Sequence, residues 1–173
     1  MVELVGDGDS RGQRELYDRY ASYLTAVASR YLADADCVKD VLQEAFIKVF
    51  QRMDRFEYRG EGSLKAWVTR IVVNESLHEL RRTKRLLPEA QLPDAAEDED
   101  PDVVDVPPRV LQEMIMRLPD GYRTVFNLFV FEQMPHKEIA SLLGIKENSS
   151  ASQLLRAKAC LAREIQEYRL KNG

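Results

Sequence analysis

Basic side chains cluster around the single tryptophan of the chain. Residues 52–85 carry 9 basic and 5 acidic side chains. The cations nearest Trp67 are Arg59, Lys65 and Arg70, and the segment ends in Arg81-Arg82-Thr83-Lys84-Arg85. Cations attract phosphate and an aromatic ring stacks on an unpaired base, so this composition is typical of a site for single-stranded nucleic acid. The terminal cations also have a simpler role, because positive charge stabilises the C-terminus of a helix.

A second candidate site follows Gly144, which suits the turn between two predicted helices. The first helix starts near His136 with Ile139, Ala140 and Leu143 facing inward. The second starts near Asn148 and displays Ser149, Ser152, Gln153, Arg156 and Lys158. In a helix-turn-helix the start of the second helix enters the major groove of DNA, and its side chains contact bases and phosphates. Gln153 has the donor and acceptor that a bidentate contact with adenine requires.

A third candidate surface lies on the helix predicted from Val38 to Met53. Its main apolar stripe has the helical period, yet Gln43, Ile47 and Phe50 are neighbours on another face. Large apolar residues outside the main stripe indicate a second buried surface. Either another helix of the same domain or a partner protein covers it.

The remaining elements are predicted to be helical as well. Apolar residues recur with helical spacing from Leu16 to Tyr31, and a loop containing Gly60 and Gly62 precedes a helix that Ser63 is expected to cap. Pro107 and Pro108 open a short helix, and Pro119-Asp120 starts another. The predicted fold class is therefore all-α.

A linker is predicted between two helical domains, which span residues 1–85 and 109–173. Residues 86–108 contain five of the seven prolines, eight acidic side chains and no basic one. Proline removes amide donors and like charges repel, which disfavours a packed helix or strand. This linker is either a solvated tether or a segment that competes with DNA for the basic surfaces on both sides.

The overall composition excludes several classes of protein. The net charge of -4 averages over two modestly basic segments, because residues 52–85 carry 9 basic and 5 acidic side chains and residues 109–173 carry 10 and 7. No apolar run is long enough to cross a bilayer and the N-terminus has no signal-peptide pattern, so we expect a cytoplasmic protein. Cys37 and Cys160 lie far apart, as do His78 and His136, and no phosphate-binding loop or nucleophile motif occurs. We therefore expect no metal, cofactor or enzymatic activity.

Three segments together resemble the ECF (extracytoplasmic-function) sigma factors of bacterial RNA polymerase. Asp40-Val-Leu-Gln-Glu-Ala-Phe-Ile-Lys-Val-Phe50 is similar to region 2.2 of that family, and Gly62-Ser-Leu-Lys-Ala-Trp-Val-Thr-Arg-Ile-Val-Val-Asn74 is similar to regions 2.3 and 2.4. Leu118-Pro-Asp-Gly-Tyr-Arg-Thr-Val-Phe126 and the helix-turn-helix resemble region 4. The resemblance implies a promoter-specificity subunit with a sigma region 2 domain and a sigma region 4 domain.

The resemblance also implies a role for each candidate residue. The residues implied to dock on the clamp helices of the polymerase beta-prime subunit are Asp40, Gln43, Glu44, Ile47 and Phe50. Those implied to hold the melted −10 element are Arg59, Ser63, Lys65, Trp67, Arg70, Asn74, Arg81 and Arg82, although Trp67 and Asn74 also suit core positions. Those implied to bind the −35 element are Lys137, Ser149, Ser152, Gln153, Arg156 and Lys158. The implied partners are core RNA polymerase, including its beta flap, promoter DNA and an anti-sigma factor.

The sequence departs from the family at the helix assigned to the −35 element. Ala151 and Gln153 stand where many relatives carry Lys or Arg, and Ser150 replaces a usual aliphatic anchor. Fewer cations release fewer counterions, which predicts weaker phosphate binding. The competing interpretation is a stand-alone helix-turn-helix regulator. Such a protein uses its N-terminal domain for dimerisation or ligand sensing, and it binds a palindromic duplex without polymerase.

Overall fold

The computed structural model describes residues 10–83 and 101–172, and every regular element in those two ranges is helical. The elements are α1 (Ser10–Ala28), α2 (Ala35–Gln51), a 3-10 turn (Met53–Arg55), α3 (Ser63–Arg82), α4 (Pro108–Arg117), α5 (Asp120–Val130), α6 (His136–Leu143) and α7 (Glu147–Asn172). The prediction of an all-α fold is confirmed. The chain divides into two compact units, Met1–Lys84 and Arg85–Gly173. Lys84, Arg85 and residues 86–100 of the predicted linker lie outside the described residues.

In the first unit, α1, α2 and α3 each pack against the other two. The stripe predicted on α2 is buried, with Val41, Ala45 and Val49 at most 5% exposed. Asp34 begins this helix, because its carboxylate accepts hydrogen bonds from the backbone N–H groups of Asp36 and Cys37, both at 2.9 Å. Such an N-cap stabilises a helix by about 1 kcal/mol.

The prediction that Ser63 caps α3 is wrong. Gly62 occupies the cap position with a φ of 83°, in the left-handed region that favours glycine, and Ser63 is already the first helical residue. The Ser63 hydroxyl instead bonds backwards into the loop, donating to the carbonyl oxygen of Gly60 at 2.7 Å. It also accepts the N–H of Arg59 at 3.3 Å. Ser63 therefore fixes the loop rather than the helix end.

In the second unit, α7 packs against α4, α5 and α6. Leu154, Ala157, Leu161 and Ile165 form its buried stripe. Arg123 of α5 is buried, pairs with Asp120, and donates to the carbonyl oxygens of Met116 at 2.8 Å and Leu118 at 3.2 Å. This guanidinium satisfies carbonyl groups at the end of α4 that have no partner within the helix.

Candidate nucleic-acid and protein interfaces

The surface predicted to dock on polymerase occupies one continuous face of α2. Asp40, Glu44 and Ile47 are exposed and separated by four and three residues, so they project from the same side of the helix. Gln43 is exposed beside them and Phe50 is half-buried one turn beyond Ile47. The structure therefore brings all five predicted residues together. Among residues 10–83 no helix covers Ile47, whose side chain is 41% exposed.

An aromatic row borders this face. The Tyr17 ring of α1 lies 4.8 Å from that of Phe46, and the Phe46 ring lies 5.9 Å from that of Phe50, measured between centroids. Tyr17 is 51% exposed whereas Phe46 is buried. The apolar surface next to Ile47 thus extends from α2 onto α1.

The loop between the 3-10 turn and α3 holds its shape through two glycines and Ser63. Gly60 has a φ of 109°, and Gly62 also lies in the left-handed region. At the base of the loop, the Phe56 ring packs 5.2 Å from that of Trp67, between centroids. Trp67 is half-buried, so its ring can both pack against the core and contact a base, the two roles that the sequence left open.

These loop and helix residues surround a cavity of about 540 Å³. It is lined by Arg55, Phe56, Glu57, Arg59, Ser63, Ala66, Trp67 and Arg70. The structure thus brings together Arg59, Ser63, Trp67 and Arg70 of the predicted set. Three arginines beside two aromatic rings have the composition typical of a site for single-stranded nucleic acid.

A row of polar residues continues from this cavity along α3. Asn74 lies four residues after Arg70, and His78 and Arg81 follow at intervals of four and three, all exposed. This spacing places them on one face of the helix. Asn74 is therefore a surface residue rather than a core residue. His78 belongs to the same row, although its place in the sequence does not by itself distinguish it from an ordinary solvated helix residue.

Two predicted −10 residues, Lys65 and Arg82, belong neither to the cavity lining nor to this row. Lys65 is exposed five residues before Arg70, and its Nζ atom lies 4.1 Å above the centre of the Tyr23 ring of α1. Arg82 forms two 2.8 Å hydrogen bonds with Glu79. The hydrogen bond with Glu79 raises the pKa of Arg82. The predicted cations that do lie at the cavity or in the row are Arg59, Arg70 and Arg81.

The helix-turn-helix forms with nearly the predicted bounds. Gly144 turns the chain after α6 with a φ of 71°, and α7 begins at Glu147. Ser150, at the predicted site of an aliphatic anchor, is fully buried, and its Oγ lies 2.9 Å from Nδ1 of His136. The His136 ring stacks on Phe129 with centroids 4.7 Å apart. A hydrogen bond and a ring contact thus fasten the start of α7 to α6 and α5.

Only part of the predicted −35 set shares one face. Ser149, Ser152 and Arg156 follow at intervals of three and four on α7, and the Ser152 hydroxyl donates to the carbonyl oxygen of Ser149 at 3.1 Å. Lys137 is exposed at the start of α6. Gln153, four residues after Ser149 and three before Arg156, lies on the same face, but it is half-buried. Its Oε1 would lie 3.3 Å from a Cβ added to Gly121 of α5. The adenine contact suggested by the sequence requires this side chain to turn away from α5.

Lys158 lies apart from Arg156. Residues two apart on a helix point to nearly opposite sides, and Lys158 lines a different cavity of about 510 Å³. The other lining residues are Pro101, Phe126, Phe129, Val130, Gln133, Met134 and Pro135. Phe131 next to them is 44% exposed. This apolar cavity is a second protein-binding candidate that the sequence analysis did not identify.

The structure adds one further aromatic candidate near the first cavity. Tyr58 is 70% exposed, between Glu57 and Arg59, whose side chains form a 2.9 Å ion pair. The sequence signal that could have identified Tyr58 is an aromatic residue next to an arginine and a glycine-containing loop. Tyr58 was missed because the apolar periodicity of the helices does not extend into loops.

The part of the chain that the structure describes contains neither a cluster of metal ligands nor a helix suited to span a membrane. Among those residues, no group of three His, Cys, Asp or Glu side chains is arranged to hold a metal ion. No helix within the same ranges combines the length and apolar character needed to cross a bilayer.

Comparison with known proteins identifies both units. Residues 16–86 match the model of sigma-70 region 2, and residues 109–161 match that of sigma-70 region 4. The ECF RNA polymerase sigma-E factor of Haemophilus influenzae is 29% identical, over 96% of this chain and 94% of its own length. The RNA polymerase sigma-H factor of Pseudomonas aeruginosa is 27% identical, over 96% and 92%.

Solved structures show the same fold. CnrH, in complex with the cytosolic domain of CnrY, is 23% identical with a TM-score of 0.52, over 96% of this chain and 95% of that one. The sigma factor RpoE of Bartonella quintana, in complex with the anti-sigma factor NepR, is 20% identical with a TM-score of 0.53, over 88% and 96%. With both sigma regions matched in their family order, this chain belongs to the ECF group of the sigma-70 family.

Proposed function

We propose that this chain acts as a sigma factor in the cytoplasm, without enzymatic activity. Its α2 helix, its α3 helix and its helix-turn-helix each bind a different partner. The first unit docks on core RNA polymerase and holds the melted −10 strand. The second unit binds the −35 duplex. The observation that carries the proposal is the exposed face of α2, where Ile47 follows the carboxylates of Asp40 and Glu44.

Polymerase docking is supported by the chemistry of that face. Asp40 and Glu44 suit a basic partner surface, and Ile47 supplies apolar area at the centre. An apolar residue surrounded by polar neighbours is the usual arrangement of an interaction hot spot. We assign this face to the beta-prime clamp helices and include Tyr17 at its border.

The −10 strand is assigned to the cavity below the Gly60 loop and to the row along α3. An unpaired base enters the cavity beside Trp67, while Arg59 and Arg70 bind the flanking phosphates. Tyr58 stacks on a neighbouring base, since an exposed aromatic side chain contributes about 1–3 kcal/mol per stacked base. Asn74 and Arg81 continue the contact with the strand.

The −35 duplex is assigned to the start of α7. Ser149, Ser152 and Arg156 enter the major groove, and Lys137 contacts a phosphate from the start of α6. Lys158 has no place on that face. We assign it, with the apolar cavity around Phe129, to the polymerase beta flap.

An anti-sigma factor is the proposed regulator. The Bartonella quintana sigma factor of the same fold was solved with its anti-sigma factor. In this chain both units keep apolar residues exposed, Ile47 in the first and Phe131 in the second. A regulator that covers either residue blocks polymerase binding.

The proposal is tested by transcription in vitro with core polymerase and fragmented genomic DNA of the source organism. We expect new RNA 5′ ends whose upstream sequences share two elements at a fixed spacing. RNA 5′ ends identical to those made by core polymerase alone would contradict the proposal. A stand-alone regulator predicts that second result, together with tight binding of a palindromic duplex.

A further inference from the structure

Residues 101–106, hereafter the strap, precede α4 in the second unit. Among the described residues, the hydrogen bonds that reach the strap from a helix come from Arg169, in the last turn of α7. Its Nη2 atom lies 3.0 Å from Oδ2 of Asp102 and donates to the carbonyl oxygen of Val104 at 2.8 Å. The same atom lies 3.2 Å from the carbonyl oxygen of Asp102. Arg169 therefore binds the backbone of the strap as well as a carboxylate.

The strap has internal structure that depends on the same carboxylate. Oδ1 of Asp102 accepts the N–H of Val104 at 3.0 Å, and the N–H of Val106 donates to the carbonyl oxygen of Val103 at 3.1 Å. The Val104 N–H, and secondarily Arg169, lower the pKa of the Asp102 carboxyl, because both stabilise its charged form. The course of the strap is thus defined by hydrogen bonds on both oxygens of Asp102.

The first residue of the strap forms part of the apolar cavity near Phe129. Pro101 is half-buried and lines this cavity together with Phe129, Met134 and Lys158. Its neighbour in the chain is Asp102, so the group that Arg169 binds lies directly beside the cavity wall.

Burial alone does not hold this end of the strap. Val106 is 8% exposed, whereas Val103 and Val104 are 44% and 66% exposed. An exposed ion pair by itself contributes little to stability, so the contacts of Arg169 with the two backbone carbonyl groups are important. Removal of Arg169 should therefore release Pro101 from the cavity.

We infer that Arg169 is a positioning residue for the polymerase beta flap, because it holds Pro101 in place as one wall of the flap-binding cavity. The inference rests on the proposed function, which assigns this cavity to the flap. Arg169 lies eleven residues beyond Lys158, about 16 Å further along α7. It therefore acts through the strap rather than by direct contact with a side chain in the cavity.

A wall at this position matters because an apolar cavity binds its guest by removing apolar surface from water. With Pro101 in place, a guest side chain of the flap is covered on the side of the strap. With Pro101 released, that side of the guest and of Phe129 stays in contact with water. Loss of Arg169 should consequently weaken flap binding.

The test measures the affinity of the purified flap domain of the beta subunit for the full chain. The variants are Arg169→Ala, Pro101→Ala and the double variant, with Arg163→Ala as the matched control. Arg163 is an exposed residue of the same helix, so its replacement also removes one positive charge. We expect each of the two single variants to bind about threefold or more weakly, and the control to bind like the wild-type protein. The double variant should bind no more weakly than the weaker single variant, because both changes remove the same wall.

Hydrogen exchange of the Val104 amide reports whether the strap is released. We expect exchange about threefold or more faster in Arg169→Ala, and unchanged exchange in Arg163→Ala and in Pro101→Ala. Unchanged exchange in Arg169→Ala would overturn the role of Arg169 in holding the strap.

Two results of the binding experiment would overturn the positioning role even if the strap is released. Tighter flap binding by Arg169→Ala would show that the strap competes with the flap. Independent losses that multiply in the double variant would show that Arg169 does not act through Pro101. Equal binding by all variants would overturn the role of Arg169 alone, whereas a wild-type protein that bound no flap domain would overturn the assignment of the cavity and the positioning role with it.

Discussion

Replacement of Ile47 by aspartate probes polymerase docking with little disturbance of the fold. Ile47 is 41% exposed in the free unit, and full burial of an isoleucine is worth about 1.5–3 kcal/mol. Covering the exposed part therefore contributes about 1 kcal/mol to docking. An unpaired carboxylate in the covered interface costs about 2 kcal/mol more. The combined loss of about 3 kcal/mol weakens core binding about 100-fold.

The assay is equilibrium binding of labelled protein to core polymerase, with Ala26→Asp as the matched control. Ala26 is an exposed position of α1, nine residues beyond Tyr17, and its replacement adds the same charge to the same unit. We expect the control to bind within twofold of the wild-type protein. The free energy of unfolding of Ile47→Asp should fall by about 1–2 kcal/mol, because the part of the side chain that is already buried in the free unit is lost. Wild-type affinity in Ile47→Asp would refute the docking assignment. A large loss of stability would show that Ile47 is a core residue.

Three further predictions concern the remaining surfaces. Arg70→Ala should weaken binding of a forked −10 DNA by the holoenzyme, and the slope of log affinity against log salt concentration should fall by about one. Lys65→Ala should leave that slope unchanged, because Lys65 lies over Tyr23. Equal slopes for both variants would contradict the placement of the site. Gly62→Ala should destabilise the first unit by about 1 kcal/mol in urea unfolding, because φ is 83° at that position, and unchanged stability would argue against this loop geometry. Ser150→Ala removes the partner of His136 in a buried position, so the urea midpoint of the second unit should fall by the equivalent of about 1–3 kcal/mol; a stability equal to wild type would show that this hydrogen bond is not made.

The helices were predictable because their apolar residues repeat with the helical period. The buried stripe of α2 from Val38 to Val49 agrees with the prediction, as does the turn at Gly144. Local sequence was sufficient to predict these helices and their boundary, because the apolar period ends where a turn-forming glycine stands. The prediction that Ser63 caps α3 is wrong, because Gly62 has the left-handed cap conformation and the Ser63 hydroxyl donates to the carbonyl oxygen of Gly60 within the loop.

The composition of the sites was less predictable than the helices. Lys65 and Lys158 were grouped with nearby cations because they are close in the sequence. Their positions on the helices place them on other surfaces, Lys65 over Tyr23 and Lys158 at the cavity near Phe129. The cavity beside Trp67 depends on Phe56, whose contact with Trp67 is set by the loop rather than by a repeat. The contact between Asp102 and Arg169 joins residues 67 positions apart, which periodicity does not reveal.

The central claim is that promoter recognition requires core polymerase, and permanganate footprinting on a promoter found by the transcription experiment tests it most directly. Permanganate modifies unpaired thymines and therefore reports melting of the −10 element. We predict reactive thymines only when the chain and core polymerase are both present, and their loss with Ile47→Asp. Specific protection of a palindromic duplex by the chain alone, with no reactive thymines when core polymerase is added, would contradict the account.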